Sequence, residues 1–353
     1  MDVYAVIMAG GAGTRLWPLS TKEKPKQVHK LVGENTLFQD AVRRVKSLVG
    51  LDNIFIVAGA GHVPELKLQE PDIPNENFIV EPSGMGTAPC IGLAAIHLES
   101  LDPKSVMIVL TADHHIGDVG SFREALLTAI EVAEKGYLVT LGIKPNEPST
   151  GYGYIEHGHI LDTEWEHDVL NVKRFTEKPD FENAARMVKS GKYSWNSGMF
   201  IWRVDRILEE FRDQMPGLSE QLGKISKAIG SHNYKKVLEE SWKYVPKETI
   251  DYGIMENASN VAVIPVDIGW SDLGSWSSLM EILTADENGN VIRGNHIGVD
   301  TQNSLVYGGE RIIATIGIKD LVIVDTGEAL LVCNLNHDQK VREIVNRLRE
   351  SNN

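Results

Sequence analysis

The chain has 353 residues, of which 42% are apolar, and its formal net charge at pH 7 is −14. This length and apolar content are sufficient for one large buried core with a smaller domain beside it. The acidic balance argues against non-specific binding to nucleic acid or to an anionic membrane surface, so we expect neither as a partner. A small anionic ligand stays open, because a basic pocket can lie within an acidic protein.

The two cysteines, Cys90 and Cys333, lie far apart in apolar stretches. We interpret them as buried free thiols in a reducing compartment rather than as a disulfide. The first residues lack the basic segment and the apolar length of a secretion signal. No apolar stretch in the sequence approaches the ~20 residues that a membrane span needs. We therefore expect a cytoplasmic protein.

Apolar runs rich in β-branched residues alternate with helical patterns over the first 143 residues. Such nearly continuous apolar runs are typical of strands that are buried on both faces. The alternation predicts an α/β, Rossmann-like domain with a mostly parallel sheet. The predicted strands are Val3–Ala9, Asn53–Gly59, Asn77–Pro82, Ser105–Asp113 and Tyr137–Ile143, and helices are predicted at 36–50, 87–101 and 121–136, the last with Ser121 as its N-cap.

The middle of the chain, from about Gly151 to Ser278, is less regular, and we interpret it as an insertion-rich continuation of the same domain. From about Asp286, short apolar runs alternate with Gly, Asn and Asp, which predicts a small β-rich unit coiled like a β-helix. A final amphipathic pattern predicts a closing helix. The expected domains are residues 1–284 and residues 285–353.

A glycine-rich turn follows the first predicted strand, with Gly10, Gly11 and Gly13 in the stretch MAGGAGTRLWPLS. Such a turn can let backbone N–H groups approach phosphate oxygens. The third glycine of the dinucleotide fingerprint is missing, and so is the Gly-Lys-Ser/Thr of the P-loop. A tight turn without a ligand is the alternative, but Arg15 and Lys26 favour phosphate, because two cations beside bare backbone suit a triphosphate.

Acidic residues follow at two places where a carboxylate could bind a metal. Asp113 ends a predicted strand and Asp272 lies in GWSDLGSW. Mg²⁺ prefers hard oxygen ligands, usually one or two carboxylates together with phosphates. From the residues alone, a strand-end cap for Asp113 and a helix N-cap for Asp272 stay open.

Trp195, Trp202 and Trp276 are interpreted as buried packing residues rather than stacking platforms.

The stretch GGAGTRLWPLSTKEKPKQ resembles the signature of the sugar-1-phosphate nucleotidyltransferases, and most of all that of the bacterial mannose-1-phosphate guanylyltransferases. The resemblance covers roughly the first 280 residues. It continues through the blocks TADH (111–114), TEKPD (176–180), WNSGMFIW (195–202), IDYGIME (250–256) and GWSDLGSW (269–276).

This resemblance implies a Mg²⁺-dependent enzyme that makes GDP-mannose and pyrophosphate from GTP and α-D-mannose 1-phosphate, and a homodimer formed through the C-terminal domain. It implies catalytic roles for Arg15, Lys26 and Lys178, and metal binding by Asp113 and Asp272. The implied nucleotide-binding residues are Ala9, Gly10, Gly11, Gly13, Thr14, Arg15, Gly86, Thr87 and Asp113. The implied sugar-binding residues are Gly153, Glu177, Asn196 and Asp251.

The sequence departs from the family pattern at the segment expected near the base. The family usually has Glu-Pro-x-x-Arg-Asn-Thr-Ala-Pro, whereas this chain has EPSGMGTAP, with Met85 and Gly86 for Arg and Asn. We expect Gly86 to leave a looser base site that prefers GTP but also uses ATP. The competing expectation is that backbone groups near Gly86 and Thr87 recognise guanine.

Two other functions are compatible with the sequence. One is a nucleotidyltransferase for another nucleoside triphosphate or hexose 1-phosphate. The other is a catalytically silent relative that binds nucleotide-sugar and regulates a partner. The joint presence of both cations near the N-terminus, Lys178 and both aspartates speaks against silence, because a sensor needs no complete metal site.

Overall fold

The computed structural model describes residues 1–11, 13–162 and 165–351. By their internal contacts the described residues form two compact units that do not follow chain order. The sheet unit comprises Met1–Gly10, Ala41–Ala112 and Ile116–Trp270, and the coil unit comprises the described residues of Gly11–Asp40, Asp113–His115 and Ser271–Asn353.

The strands are β1 (Val3–Met8), β2 (Ile54–Gly59), β3 (Phe78–Glu81), β4 (Val106–Thr111), β5 (His115–Ile116), β6 (Leu138–Ile143), β7 (Tyr154–Asp162), β8 (Val169–Thr176), β9 (Tyr193–Arg203), β10 (Val261–Val266), β11 (Trp270–Ser271), β12 (Val291–Arg293), β13 (His296–Val299), β14 (Leu305–Tyr307), β15 (Ile313–Ile316), β16 (Leu321–Asp325) and β17 (Leu330–Asn334). The α-helices are α1 (Leu37–Val49), α2 (Val63–Gln69), α3 (Thr87–Glu99), α4 (Val119–Glu134), α5 (Phe181–Ser190), α6 (Val204–Gln214), α7 (Pro216–Ser226), α8 (Tyr234–Trp242), α9 (Trp276–Ile282) and α10 (Val341–Ser351).

The elements predicted in the first 143 residues are confirmed. The five strands are β1, β2, β3, β4 and β6, the three helices are α1, α3 and α4, and each end agrees within two residues. The expected N-cap of α4 is wrong. The N-cap is Asp118, directly before α4, and its carboxylate accepts the Ser121 backbone N–H at 3.0 Å, because an N-cap side chain reaches the free N–H of the third helical residue.

The sheet unit is built on one nine-stranded sheet with the order β3-β2-β1-β4-β9-β6-β10-β8-β7. Strands β3, β2, β1 and β4 are parallel, as are β6 and β10. Strand β9 runs antiparallel between β4 and β6, and β7 and β8 pair antiparallel at the far edge. The parallel strands β3, β2, β1 and β4 therefore come from the regular first half of the chain, whereas its irregular middle supplies the antiparallel strands β7, β8 and β9 and the parallel partner of β6, strand β10.

The carboxyl ends of β1 and β4 meet at the same edge of the sheet, where Met8 is opposite Thr111. Both strands are almost fully buried, and α3 packs against this sheet with apolar residues around most of its circumference. The glycine-rich turn and Asp113 thus leave the sheet from two neighbouring strand ends. Ligand-binding residues are expected at such carboxyl edges of open α/β sheets.

The coil unit alternates its strands between two ladders. Strands β12, β14 and β16 form one parallel ladder, and β13 and β15, which lie between them in sequence, form the other. This alternation winds the chain as a β-helix, and β17 closes the first ladder antiparallel. Buried residues of the coil unit that precede the β-helix in sequence complete its core, among them Leu16, Leu31 and Trp276.

Both cysteines are free thiols, as predicted, although Cys333 is only partly buried. The two residues belong to different units of the fold. Among the residues that the structure describes, none of the helices has both the length and the apolar character needed to cross a bilayer.

Candidate active site

The glycine-rich turn after β1 uses its glycines in two different ways. Gly11 and Gly13 have φ of 92° and 57°, in the left-handed region that side chains disfavour. A Cβ at Gly13 would lie 2.5 Å from the Cβ of Lys26, so only glycine lets the lysine stem pass. At Gly10 and Gly11 a Cβ would meet no described atom within 4 Å, so bare backbone faces open space there.

Lys26 is the centre of a cluster in the coil unit, which we call the Lys26 cluster (Lys26, Asp113 and Asp272). The lysine side chain is only 6% exposed, and its Nζ lies 2.8 Å from Asp113 Oδ2. The same Nζ donates to the Asp272 backbone carbonyl at 2.6 Å. A buried ammonium needs such acceptors, and here they bring two aspartates from distant parts of the sequence to one cation.

Asp113 is ionised in this cluster. Burial alone would raise the pKa of its carboxyl. The nearby Lys26 ammonium and His114 lower that pKa by more than burial raises it, so the net pKa lies below its ordinary value. The Asp272 carboxylate accepts the Gly274 N–H at 3.0 Å. A Cβ at Gly274 would lie 2.6 Å from Asp272 Oδ2, so the glycine makes room for that carboxylate.

The donor set of the Lys26 cluster fits Mg²⁺. It offers hard carboxylate oxygens, and over the described residues no group of three or more His, Cys, Asp or Glu side chains could hold a metal. Mg²⁺ usually takes one or two carboxylates and completes its shell with water and substrate phosphates. Two aspartates beside a triphosphate would satisfy this preference without a third protein carboxylate.

The other predicted residues of the N-terminal segment divide by role. Arg15 is half-buried in the 3-10 turn Thr14–Leu16 and forms no ion pair with any carboxylate in the described part of the chain. Its guanidinium is therefore available to an external anion. Ala9, in contrast, is buried and donates its N–H to the Val57 carbonyl at 2.8 Å, so that group is engaged in the sheet.

The predicted sugar-binding residues converge in the sheet unit. This Asn196 cluster comprises Gly153, Glu177, Asn196 and Asp251. Asn196 Nδ2 donates to Asp251 Oδ1 at 2.6 Å, and the Asn196 backbone N–H donates to the Gly153 carbonyl at 2.8 Å. A Cβ at Gly153 would collide with Glu177 Oε2, so the glycine leaves room for the carboxylate in its observed position. The cluster presents an amide and two carboxylates, the groups that bind hydroxyls.

Two features distinguish Glu177 and Lys178. The Glu177 side chain is 13% exposed and pairs with the Lys178 ammonium, whose side chain is 60% exposed. Lys178 has a φ of 44°, which is uncommon for a residue with a side chain. Backbone in sparsely populated regions occurs often at ligand sites. An exposed ammonium beside the Asn196 cluster suits a phosphate on a bound sugar.

Asp251 has the most perturbed carboxyl of the Asn196 cluster. Burial raises its pKa to about 6, the nearby Glu177 charge adds to this, and the Asn196 bond and Lys178 oppose it. The residue begins a π-helical turn, Asp251–Met255, a rare geometry that is frequent at functional sites. Asp251 therefore titrates in a range where small changes in its surroundings alter its charge.

The segment of residues 83–87 has a structure that the sequence did not predict. The expected open space at Gly86 is absent, because the Glu248 backbone carbonyl occupies the position of its missing Cβ. Glu248 also donates to the Met85 carbonyl at 2.9 Å and accepts the Ala88 N–H at 3.2 Å. Gly86 has φ 97° and ψ 177°, a conformation open to glycine alone. The space beside Gly86 is therefore filled by backbone, and the looser base site with use of ATP stays a prediction.

The contact of the Glu248 backbone with the 83–87 segment could not be predicted from the sequence, since it depends on tertiary folding and leaves no motif. A second missed feature is an aromatic group around Tyr152, whose ring centroid lies 4.9 Å from that of Trp195 and 5.3 Å from that of Trp270. Trp195, Trp202 and Trp276 are buried, as predicted.

Comparison with known proteins is consistent with this geometry. Residues 4–289 match the family model "Nucleotidyl transferase", and residues 294–348 match "MannoseP isomerase/GMP-like beta-helix domain". The predicted α/β domain and its small β-helix-like C-terminal domain are thereby confirmed.

The chain is 41% identical to the mannose-1-phosphate guanylyltransferase of Escherichia coli (strain K12) over 352 residues, covering 98% of this chain and 73% of that protein. A crystal structure from Thermus thermophilus, described as a mannose-1-phosphate geranyltransferase, has a TM-score of 0.88 and 32% identity and covers 99% of this chain and 100% of that one. A mannose-6-phosphate isomerase structure from Helicobacter pylori has a TM-score of 0.63 and 27% identity over 77% of this chain and 100% of that one. The chain belongs to the mannose-1-phosphate guanylyltransferase family of nucleotidyl transferases.

Proposed function

We propose that the chain makes GDP-mannose and pyrophosphate from GTP and α-D-mannose 1-phosphate. A phosphate oxygen of the sugar phosphate attacks the α-phosphorus of GTP in line. The bond from that phosphorus to the β,γ-pyrophosphate breaks, and pyrophosphate leaves with the electron pair. The observation that carries the proposal is the Lys26 cluster, in which one buried ammonium joins Asp113 and Asp272.

In this proposal Asp113 and Asp272 hold a Mg²⁺ ion. When bound, it supplies positive charge to the reacting phosphates. The Lys26 ammonium has three N–H groups, and two of them meet Asp113 and Asp272. The third has no acceptor among the described residues and is left for a phosphate oxygen, and Arg15 holds the rest of the triphosphate. These fixed cations stabilise charge on the transferring group without reorganisation.

The Asn196 cluster is proposed to bind the sugar. Glu177 and Asp251 accept from sugar hydroxyls, and Asn196 can both donate and accept. Gly153 permits the close approach that its contact with Glu177 requires. Lys178 holds the phosphate that carries the nucleophilic oxygen, which keeps that oxygen positioned for in-line attack.

Backbone groups of the 83–87 segment are proposed to read guanine. At the start of α3 the Ala88 N–H is taken by Glu248. The N–H groups of Gly86 and Thr87 have no acceptor among the described residues and can donate to the guanine O6 atom. A site built on positioned hydrogen bonds discriminates by about 10⁴-fold, whereas shape alone gives about 10- to 200-fold. This geometry supports strict use of GTP.

The domains 1–284 and 285–353 are retained as a proposal, supported by the two family matches. A cytoplasmic location is also retained as a proposal, supported by the free thiols.

A homodimer through the C-terminal domain is also proposed. Ile297, Val299 and Ile316 are exposed apolar side chains on the β13–β15 ladder, where Val299 pairs with Ile316. An Ile297→Asp change should convert a dimer to a monomer in light scattering, and an unchanged mass would refute this interface.

Pyrophosphate release across four nucleoside triphosphates and the 1-phosphates of mannose and glucose tests the proposed function. We expect turnover with GTP and mannose 1-phosphate to exceed every other pair. A higher rate with another pair would reassign the substrates. Absence of turnover together with tight binding of a nucleotide-sugar would favour the silent regulator.

A further inference from the structure

A cavity of about 750 Å³ opens at the edge of the nine-stranded sheet, between β3, α3 and α8. None of the residues proposed for catalysis or substrate binding lines it. Its apolar lining comes from Phe78, Ile79, Val80, Pro82 and Leu238. The volume lies within the range of small-molecule sites, which are mostly apolar with a few placed polar groups.

Glu81 is the polar group that distinguishes this cavity. It ends β3, lines the cavity and is only 6% exposed. Its Oε1 atom is buried and has no hydrogen-bond partner in the described part of the chain. Burial raises the pKa of the carboxyl, and contact with the Cys90 thiol lowers it only partly. A buried carboxyl with no described donor except the Cys90 thiol is costly, so a ligand in the cavity that donates a hydrogen bond to this carboxyl would be favoured.

The remaining polar groups make the cavity unsuitable for anions. His97 Nε2 and the Tyr234 hydroxyl are 2.8 Å apart and satisfy each other. Burial lowers the pKa of His97 to about 4, so the imidazole carries no charge at pH 7. Lys235 Nζ lies 4.0 Å from Glu239 Oε1, and Glu76 also lines the cavity, so with Glu81 the carboxylates of the lining outnumber its single ammonium.

We propose that this cavity binds an organic amine with an apolar aryl or alkyl body. The ammonium donates to the Glu81 carboxylate, and the body packs against the apolar lining and the Tyr234 ring. Nucleotides and sugar phosphates are excluded by their negative charge. The ligand class thus differs from the substrates of the active site.

The cavity is also connected to the 83–87 segment. Its wall helix α8 ends at Trp242, whose indole N–H donates to the Ser83 carbonyl at 2.9 Å. A short connection further on, the chain reaches Glu248, whose backbone holds Met85 and fills the space beside Gly86. Because β3 leads directly into this segment, an occupant that fixes β3 against α8 would fix the segment too. This coupling rests on the proposed role of the segment in binding guanine.

Isothermal titration of the full chain with 2-phenylethylamine, and with its anionic analogue 3-phenylpropanoate, tests the ligand class. We expect the amine to bind at least about tenfold more tightly, the scale of one charge-assisted hydrogen bond. Glu81→Gln should remove that preference, whereas Glu239→Gln at the rim should keep it. Equal binding of amine and anion, or an unchanged preference in Glu81→Gln, would overturn the proposal.

Methyl NMR of the wild-type chain locates the site without any variant, should Glu81→Gln fail to fold. The amine should shift the methyl resonances of Ile79, Val80 and Leu238, and shifts confined to other methyl groups would contradict the cavity.

At saturating amine, the KM for GTP should change about fivefold or more. An unchanged KM would disprove the coupling. Lack of turnover with GTP would count against the proposed function alone, since calorimetry reports amine binding independently.

Discussion

Replacing Gly86 tests the account of the 83–87 segment, because the family's usual residue there, Asn, should not be tolerated. The conformation with φ 97° and ψ 177° costs a residue with a side chain about 1–3 kcal/mol. The new Cβ would also collide with the Glu248 carbonyl and disturb its bonds to Met85 and Ala88. Two backbone hydrogen bonds at about 0.5–1.5 kcal/mol each bring the expected loss for Gly86→Asn to about 2–6 kcal/mol.

Urea denaturation of Gly86→Asn, followed by circular dichroism, measures this loss. Gly84→Ala is the matched control in the same segment, because a Cβ there meets nothing within 4 Å and its backbone is unstrained. We expect its stability to stay within about 0.5 kcal/mol of the wild type. If Gly86→Asn is as stable as Gly84→Ala, the contact with Glu248 is wrong, and the position would be open to a base-recognising side chain after all.

Three further predictions concern the two clusters. Asp113→Asn and Asp272→Asn should each lower kcat by about 100-fold or more, because a metal supplies several kcal/mol at the transition state; near wild-type turnover in either removes that ligand. Glu177→Gln should change the ratio of kcat/KM values for mannose and glucose 1-phosphates, whereas Lys178→Ala should weaken both alike; an unchanged ratio in Glu177→Gln would refute the sugar assignment. The pKa of Asp251 is raised from 3.8 to about 6, so the folded state binds more protons than the unfolded state between these pH values. The contribution of this carboxyl to stability is therefore full below about pH 4 and is lost as pH rises through 6. Asp251→Asn should remove this fall in the free energy of unfolding with pH, and an identical pH dependence in the variant would contradict the assignment.

The sequence predicted the regular half of the fold well, because strands buried on both faces leave long apolar runs. Strands β1 and β4 could be located within two residues, and with them the carboxyl edge from which the glycine turn and Asp113 depart. Strand β7 and helices α6 and α7 lacked such patterns and were missed. The sequence also did not predict that the 11–40 segment belongs to the coil unit. The reason is that Leu16 and Leu31 pack against residues about 300 positions away in the chain.

The candidate site was predictable where its residues belong to family blocks. The structure brings Lys26, Asp113 and Asp272 together, and likewise the four residues of the Asn196 cluster. The sequence could not reveal Glu248, because its contribution is a backbone carbonyl whose position depends on long-range folding. The meaning of Gly86 depended on that carbonyl, and therefore the sequence suggested an empty space where the structure has a filled one.

Product analysis with labelled substrate tests the central claim most directly. Mannose 1-phosphate carrying ¹⁸O in its non-bridging phosphate oxygens is incubated with GTP, Mg²⁺ and the full chain, and the products are resolved by mass spectrometry. If a phosphate oxygen of the sugar attacks the α-phosphorus of GTP, all the label is retained in GDP-mannose and none enters pyrophosphate. Label in pyrophosphate, or the absence of any GDP-mannose, would contradict the proposed guanylyl transfer.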